Sequence, residues 1–149
     1  DDENDVFLME WAFRKLGLAH TLKAVPDGKL AINHMSAIEQ FGDLAHRTPD
    51  LILLDLSMPG PEGLDVLQWI RARPAFTKLP VIILTSSNQE TDVHRAYLLG
   101  ASGYLIKPAQ PDDLVRILRR IDAYWLSAAA QPEPFVDLAS VPRPLVHAK

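Results

Sequence analysis

Three short runs of mostly aliphatic residues, each ending in one polar residue, are the strongest pattern along the chain. Apolar runs of this length, bounded by polar and turn-forming residues, predict strands that are buried on both faces. Between them lie segments in which apolar side chains recur every three or four positions, which predicts amphipathic helices. Strands that alternate with helices favour parallel βαβ units and therefore an α/β fold. The runs comprise residues 51–54, 81–84 and 103–106, and they lead into Asp55, Thr85 and Lys107.

Five segments carry the helical spacing, and several have recognisable ends. Gly17 and Gly100 stand where a glycine can end a helix. Asn88 is placed to cap the start of the fourth helix, and Pro111 begins the last helix at the position that tolerates proline best. Residues 21–25 alternate weakly between apolar and polar and predict one further strand. The predicted helices begin within residues 1–5 and run to residue 16, then cover residues 30–41, 64–72, 89–99 and 111–125.

The composition indicates a globular protein and excludes some kinds of site, but it does not indicate an activity. The chain has 149 residues, of which 48% are hydrophobic and 23% charged, which predicts one globular domain with a full core. A net charge of −4 gives no support for a nucleic-acid partner. Cysteine is absent, which excludes disulfides, thiolate metal sites and cysteine nucleophiles. Because no apolar stretch reaches the roughly 18 residues of a membrane span and no signal peptide is visible, we expect no membrane partner and a cytoplasmic protein.

The composition changes after Leu126, where prolines become frequent. We therefore expect one domain over residues 1–126 and a proline-rich C-terminal extension over residues 127–149. The extension contains apolar residues such as Phe135 and Leu145, which are unusual in a solvated linker. Two alternatives remain open for it, namely disorder or docking on a partner subunit.

The polar residues at the three strand ends have complementary chemistry. Carboxyl ends of parallel strands meet at one edge of the sheet, where open α/β sheets bind their ligands. The Asp55 carboxylate can act as a nucleophile toward phosphorus, while the Thr85 hydroxyl and the Lys107 ammonium can stabilise phosphoryl oxygens. Each also has a plain structural interpretation, as a turn cap, a strand-end residue and a surface charge respectively. Because all three follow separate buried runs, the combination is more specific than its members.

An incoming phosphoryl group would bring negative charge beside Asp55, so a balancing cation is expected. Mg²⁺ binds one or two carboxylates together with phosphate oxygens and water. Asp55 and the backbone carbonyl of Ser57 supply two ligands. Asp1 and Asp2 are candidates for the missing acid, and both also suit the cap of the first helix. The sequence therefore predicts a Mg²⁺ cofactor.

These residues resemble the receiver domain of two-component response regulators over about residues 1–126. The loop before Leu51 and the Tyr124-Trp125-Leu126 ending are similar to the single-domain regulators paired with bacterial phytochrome histidine kinases. The family resemblance rests on the phosphoacceptor segment Asp55-Leu56-Ser57-Met58-Pro59-Gly60 with Gly63 behind it, the switch hydroxyl Thr85, the aromatic switch position Tyr104, and the invariant lysine with its cis proline bond, Lys107-Pro108.

The resemblance implies a doubly wound, flavodoxin-like fold with a five-stranded parallel sheet in the order 2-1-3-4-5. In the family, a hydrophobic strand precedes the acidic pair, and here the sequence opens at Asp1 without it. That strand lies between two others, and its loss would leave unpaired backbone inside the sheet. We therefore expect that the chain is incomplete at its N-terminus and that its first strand is missing.

The resemblance also implies a function as a phosphoacceptor, not a turnover enzyme. Asp55 would take a phosphoryl group from the phosphohistidine of a histidine kinase, which the sub-family resemblance implies to be a bacteriophytochrome, and lose it slowly to water. Thr85 would then be drawn inward, and Tyr104 would turn from an outward to an inward position. The changed surface, made by the fourth helix, last strand and last helix together with the C-terminal extension, would support a homodimer.

Three alternatives stand beside this interpretation. A phosphatase of the haloacid dehalogenase type would need a second aspartate where this chain has Ser57. A flavodoxin-type binding module would need a phosphate-binding loop after its first strand, and none is visible. A degenerate receiver could serve as a docking or dimerisation module without phosphorylation, and the complete set of Asp55, Thr85 and Lys107 argues against it.

Overall fold

Three parallel strands with helices on both faces make up the described part of the fold. The structure, a computed structural model, describes residues 3–18, 20–42, 47–58 and 62–126. The strands are β1 (Ile52–Leu54), β2 (Val81–Thr85) and β3 (Gly103–Ile106), in the sheet order β1-β2-β3. The helices are α1 (Glu3–Leu16), α2 (Gly28–Phe41), α3 (Gly63–Arg71), α4 (Glu90–Leu98) and α5 (Pro111–Ile121), with a 3₁₀ turn at Pro74–Phe76 and a π-helical turn at Asp122–Leu126.

The strand register brings the carboxyl ends of the strands together. Leu54 of β1 pairs with Ile83 of β2, and Thr85 of β2 pairs with Ile106 of β3. All five residues of β2 are buried, because this strand lies between the other two and is covered on both faces. The parallel pairing therefore sets the residues that follow each strand along one edge of the sheet.

The core divides into two clusters, one on each face of the sheet. Ile82 and Leu84 of β2 pack with α1 and α5, and we call this side the α1–α5 face. Val81 and Ile83 pack with residues of α2, α3 and α4 on the opposite side, which we call the α2–α4 face. Successive side chains of a strand point to opposite faces, so one apolar run fills both clusters. This arrangement is the doubly wound α/β architecture predicted from the sequence.

The expected five-stranded sheet is found in part. Residues 21–25 are described and form no strand, so that prediction was wrong. In the 2-1-3-4-5 order, a strand over residues 21–25 would pair with the family's first strand. The described residues contain no counterpart of that first strand. Without a neighbouring strand, the backbone of residues 21–25 has no partner for inter-strand hydrogen bonds. The three strands that do form have the order expected for the last three of the family's five.

Glycines end two of the helices, and the start of α4 differs from the sequence prediction. Gly17 and Gly100 end α1 and α4 with φ of 64° and 97°, as the sequence predicted. The predicted Asn88 cap was wrong, because Gln89 is the residue that precedes the first turn of α4. The backbone N–H of Gln89 donates to the Ser87 hydroxyl at 3.3 Å, but no side-chain hydrogen bond caps the first turn of α4.

The bond between Lys107 and Pro108 also differs from the expected cis form. The described residues contain no cis peptide bond, so this one is trans, which is the isomer that X–Pro bonds favour. The backbone N–H of Lys107 still donates to the Thr85 carbonyl at 2.8 Å, which carries the β2–β3 pairing to the lysine. Within the same residues, no helix is long and apolar enough to cross a membrane.

Candidate functional site

Asp55 lies directly after β1 with its side chain only 13% exposed. Its Oδ1 accepts a hydrogen bond from the backbone N–H of Ser57 at 3.1 Å. Its Oδ2 accepts one from the Nζ of Lys107 at 2.6 Å. Both oxygens of this sheltered carboxylate are therefore held by donors from two separate segments of the chain.

Gly63, at the start of α3, lets this helix approach the end of β1 closely. A Cβ atom at position 63 would lie 2.1 Å from the backbone oxygen of Asp55, which is far inside van der Waals contact. The Gly63 N–H donates instead to the carbonyl of Leu56 at 3.2 Å. The glycine noted in the sequence is thus required by a close backbone approach next to Asp55.

Lys107 lies after β3 and joins two carboxylates. Its Nζ is 2.6 Å from Oδ2 of Asp55 and 2.5 Å from Oδ2 of Asp5, in the first turn of α1. Asp5 was missed in the sequence analysis. A signal existed, because Asp5 precedes Leu8 and Met9 by three and four positions and so falls on the helix face that packs into the core. A charged residue on an inward helix face calls for a partner.

The charges of the site stabilise one another. Burial raises the pKa of Asp55, but hydrogen bonds from Lys107 and Ser57, the Lys107 charge and the Thr85 hydroxyl outweigh burial and leave that pKa below its ordinary value. Burial lowers the pKa of Lys107, but its contacts with Asp5 and Asp55 leave it above its ordinary value. The carboxylate and the ammonium are therefore both ionised across the neutral pH range.

Thr85 and Tyr104, the two predicted switch residues, are both fully buried at 0% exposure. The Tyr104 hydroxyl donates to the backbone carbonyl of Ser87 at 2.8 Å. The backbone N–H of Ser87 makes a long contact of 3.4 Å to the Thr85 hydroxyl. The Ser87 hydroxyl donates to the Asp92 carboxylate at 2.5 Å. Burial raises the pKa of Tyr104, and the negative charge of Asp92 adds to the effect. Tyr104 thus occupies the inward position, and its outward position stays a prediction.

The residues predicted to hold Mg²⁺ are described in part. Asp1 and Asp2 lie outside the described residues, as does the extension over residues 127–149. Within the described part of the chain, no group of three acidic, histidine or cysteine side chains could hold a metal ion by itself. Asp55 offers a carboxylate beside the backbone of Ser57, and Ser57 also lines an open cavity of about 490 Å³. These all-oxygen donors fit Mg²⁺, which needs only one or two carboxylates when phosphate and water complete its shell.

Comparison with known proteins identifies the family. A family model described as the response regulator receiver domain matches residues 1–119. The probable methanogenesis regulatory protein FilR2 of Methanothrix harundinacea (strain 6Ac) is 34% identical over 134 residues, which cover 90% of this chain and 84% of that protein. The response regulator Rcp1 of Synechocystis sp. is 32% identical over 133 residues, which cover 89% of this chain and 88% of Rcp1.

Solved structures agree with the sequence comparison. The phosphorylated cyanobacterial phytochrome response regulator RcpA has a TM-score of 0.74 and 34% identity, covering 89% of this chain and 94% of that one. The Mn²⁺-bound form of Rcp1 has a TM-score of 0.71 and 31% identity, with the same coverage. The fold is therefore the flavodoxin-like receiver fold. This chain belongs to the response regulator receiver domain family, whose members receive phosphoryl groups in two-component signalling.

Proposed function

We propose that this receiver accepts a phosphoryl group on Asp55 from the phosphohistidine of a histidine kinase. The observation that carries the proposal is the 2.6 Å contact between Lys107 and Asp55, beside the end of the strand that carries Thr85. A carboxylate oxygen of Asp55 attacks phosphorus, and the bond between phosphorus and the histidine nitrogen breaks. The imidazole leaves with that electron pair and takes up a proton.

Each residue of the site has a separate task in this transfer. Lys107 offsets the negative charge that the phosphoryl oxygens bring next to Asp55. The Thr85 hydroxyl donates a hydrogen bond to one of those oxygens once the group is in place. The Ser57 N–H holds the second carboxylate oxygen, which orients the carboxylate for attack. Water removes the group slowly, so the protein is a phosphoacceptor and not a turnover enzyme.

Mg²⁺ is the proposed cofactor of the transfer. Asp55, the backbone carbonyl of Ser57, and Asp1 and Asp2 would hold it. When bound, the ion supplies positive charge for the phosphoryl oxygens. A divalent ion is supported by the all-oxygen donors and by the Mn²⁺-bound form of the similar protein Rcp1.

Thr85 and Tyr104 are proposed to carry the signal from Asp55 to the surface. A phosphoryl oxygen draws the Thr85 hydroxyl toward it, which changes the start of the loop that leads to α4. Tyr104 is tied to that loop through the Ser87 carbonyl. The inward and outward positions of Tyr104 are then two states whose balance the phosphoryl charge shifts.

The proposed input is a histidine kinase of the bacteriophytochrome type. The support is the similarity of this chain to RcpA, which is a cyanobacterial phytochrome response regulator. Incubation with phosphorylated kinases should show faster transfer from a bacteriophytochrome than from an unrelated kinase. Equal rates from both would remove the support for this input.

Incubation with acetyl phosphate and Mg²⁺, followed by intact-mass measurement, tests the acceptor assignment. The wild-type protein should gain the mass of one phosphoryl group, and Asp55→Asn should gain none. Asp50→Asn is the matched control, because Asp50 is an exposed aspartate just before β1, and this variant should react like the wild type. A phosphoryl group on Asp55→Asn would move the acceptor elsewhere, and an unreactive wild type would favour a degenerate docking module.

A homodimer through α4, β3, α5 and the extension over residues 127–149 is the proposed assembly. Leu98 of α4 supports it, because this large apolar side chain is 72% exposed. Leu98→Asp should weaken association measured by light scattering at high micromolar concentration. Phe41→Asp, at the 64% exposed end of α2, is the control and should leave association unchanged. A wild type that stays monomeric with and without phosphorylation would contradict the dimer.

A further inference from the structure

Asp5 is placed by α1 against the amine that serves the acceptor. Its Oδ2 is 2.5 Å from the Nζ of Lys107, although the two residues are 102 positions apart in the chain. The Asp5 side chain is 39% exposed, while the Lys107 side chain is 23% exposed. The contact therefore ties the first turn of α1 to the end of β3 at the margin of the site.

The two carboxylates that hold Lys107 differ in what happens to them during transfer. When Asp55 becomes an acyl phosphate, its carboxylate charge is lost and negative charge appears on the phosphoryl oxygens instead. Asp5 takes no part in bond formation and keeps its charge throughout. Lys107 therefore has one partner that changes and one that stays the same.

A constant partner matters because lysine carries its charge on a flexible four-carbon stem. Without a fixed contact, the ammonium must be ordered again each time the acceptor changes its charge. With Asp5 in place, the ammonium stays at the strand ends before and after the phosphoryl group arrives. Such prior placement of a charge is a large part of what accelerates phosphoryl transfer.

We infer that Asp5 is a positioning residue, which holds the Lys107 ammonium at the acceptor through its ion pair. The inference rests on the proposed function, since it assumes that Asp55 is the acceptor. A purely structural role is the competing explanation, because a carboxylate in the first turn of a helix also stabilises the helix dipole. The dipole effect requires no contact with Lys107, so the two explanations predict different behaviour of that lysine.

Lysine labelling of the unphosphorylated protein tests the contact itself. With an amine-acylating reagent and peptide mapping, Asp5→Asn should label Lys107 several-fold faster than the wild type. Asp5→Glu, which keeps the carboxylate, should restore protection. Asp112→Asn is the matched control, because the exposed Lys15–Asp112 pair at 2.9 Å is the same kind of contact away from the acceptor. This control should speed the labelling of Lys15 and leave Lys107 unchanged.

Phosphorylation by acetyl phosphate tests the consequence for transfer. At saturating Mg²⁺, Asp5→Asn should react roughly tenfold more slowly than the wild type. Asp5→Glu should recover much of the rate, and Asp112→Asn should match the wild type. Far-ultraviolet circular dichroism of each variant shows whether α1 is intact, so that a loss of helix is separated from a loss of the contact.

Several results would overturn the inference. Unchanged labelling of Lys107 in Asp5→Asn would show that Asp5 does not hold the amine. If Asp5→Asn is phosphorylated at the wild-type rate at high Mg²⁺ and slowly only at low Mg²⁺, then Asp5 is a metal ligand instead of a positioning residue. An unreactive wild type overturns the proposed function, whereas a reactive wild type with an equally reactive Asp5→Asn overturns only the role of Asp5.

Discussion

The two faces of the sheet carry different kinds of chemistry. Leu53 of β1 and Leu105 of β3 pack on the α1–α5 face, and Asp55 and Lys107 follow them by two positions, just after the strands end. Lys107 contacts α1 through Asp5. On the α2–α4 face, two neutral hydroxyl groups, those of Thr85 and Tyr104, lead to the loop before α4. The three charged side chains therefore lie toward one face and Tyr104 toward the other, while Thr85, whose hydroxyl also donates to Asp55, links the two.

Burial differs between the two faces in the same way. The charged side chains of Asp5, Asp55 and Lys107 remain 13% to 39% exposed, while the two proposed switch residues are 0% exposed. Charge is costly to remove from water, whereas a hydroxyl group needs only one or two hydrogen bonds. In this chain the two neutral hydroxyl groups are completely buried, whereas the three charged side chains keep contact with solvent.

The largest expected effect is on the reaction side. Lys107→Ala should slow phosphorylation by acetyl phosphate by about a hundredfold at saturating Mg²⁺, because the phosphoryl oxygens lose their fixed positive charge. The rate is measured by intact mass over time. Lys15→Ala is the control, since it also removes a lysine from an ion pair, and it should react at the wild-type rate. A drop of less than about threefold in Lys107→Ala would mean that the charge on this face is dispensable.

Gly63→Ala tests the close approach of α3 to the backbone of Asp55, the proposed acceptor. The new Cβ would lie 2.1 Å from the Asp55 carbonyl, so α3 must shift, and we expect a loss of roughly 3 kcal/mol in the free energy of unfolding. Urea denaturation measures the loss. Gly17→Ala is the control, because a Cβ atom at position 17 would meet no other atom within 4 Å. This variant should lose only about 1 kcal/mol in the free energy of unfolding, because alanine is strained at a φ of 64°. Equal losses in both variants would show that the contact at Gly63 is soft.

Tyr104→Phe tests the response side. Loss of the hydrogen bond to the Ser87 carbonyl should lower the free energy of unfolding by about 1 kcal/mol, as measured in urea. The rate of phosphorylation should change by less than about twofold, because Tyr104 does not contact the phosphoryl site in this arrangement. A tenfold slower rate would show that the two faces are not separate in function.

The smallest expected effect is that of pH on the ionisation of the site. The pKa of Asp55 lies below its ordinary 3.8 and that of Lys107 above its ordinary 10.5, so neither group changes charge between about pH 6 and about pH 9. The phosphorylation rate should therefore be flat across this range. A step in the rate near neutral pH that disappears on mutation of either residue would contradict these directions.

The same directions fix how the site contributes to stability. A lowered pKa means that the Asp55 contribution is present above the pKa of the unfolded chain and is lost as pH falls through the folded value. A raised pKa means that the Lys107 contribution is complete below its unfolded pKa and is lost as pH rises through the folded value. The melting temperatures of the wild type and of Asp55→Asn, measured by thermal denaturation, should therefore become equal at strongly acidic pH, where Asp55 is protonated in the folded protein.

Local sequence was enough to predict most of the secondary structure. Continuous apolar runs predicted β1, β2 and β3. A strand that is covered on both faces has no solvent-exposed side, so its residues are apolar throughout and do not alternate between apolar and polar. Residues 21–25 show the limit of this reasoning. Their weak alternation predicted a strand, yet a strand forms only where a neighbour completes its hydrogen bonds, and the described residues provide none.

The candidate site could be predicted in outline but not in its contacts. The strand-end rule brought Asp55, Thr85 and Lys107 to one edge, since parallel strands end on the same side. The strand-end rule gave no reason to select Asp5. The position of Asp5 on the inward face of α1 indicated that it needs a partner, but not which strand end lies beneath the first turn of that helix. Nor could the strand-end rule show that the Tyr104 hydroxyl reaches the carbonyl of Ser87, 17 residues away.

The amino-acid sequence was sufficient to predict the five helices, the three strands β1, β2 and β3, the absence of cysteine chemistry, and the acid, hydroxyl and amine at the three strand ends, although it also predicted a strand over residues 21–25 that does not form. Those features depend on side-chain type and on spacing along one element, which the chain specifies locally. The tertiary structure alone decided that Asp5 shares Lys107 with Asp55 and that Tyr104 is tied to the loop before α4. These contacts depend on how helices pack across a sheet, which is set by the burial of both core clusters together.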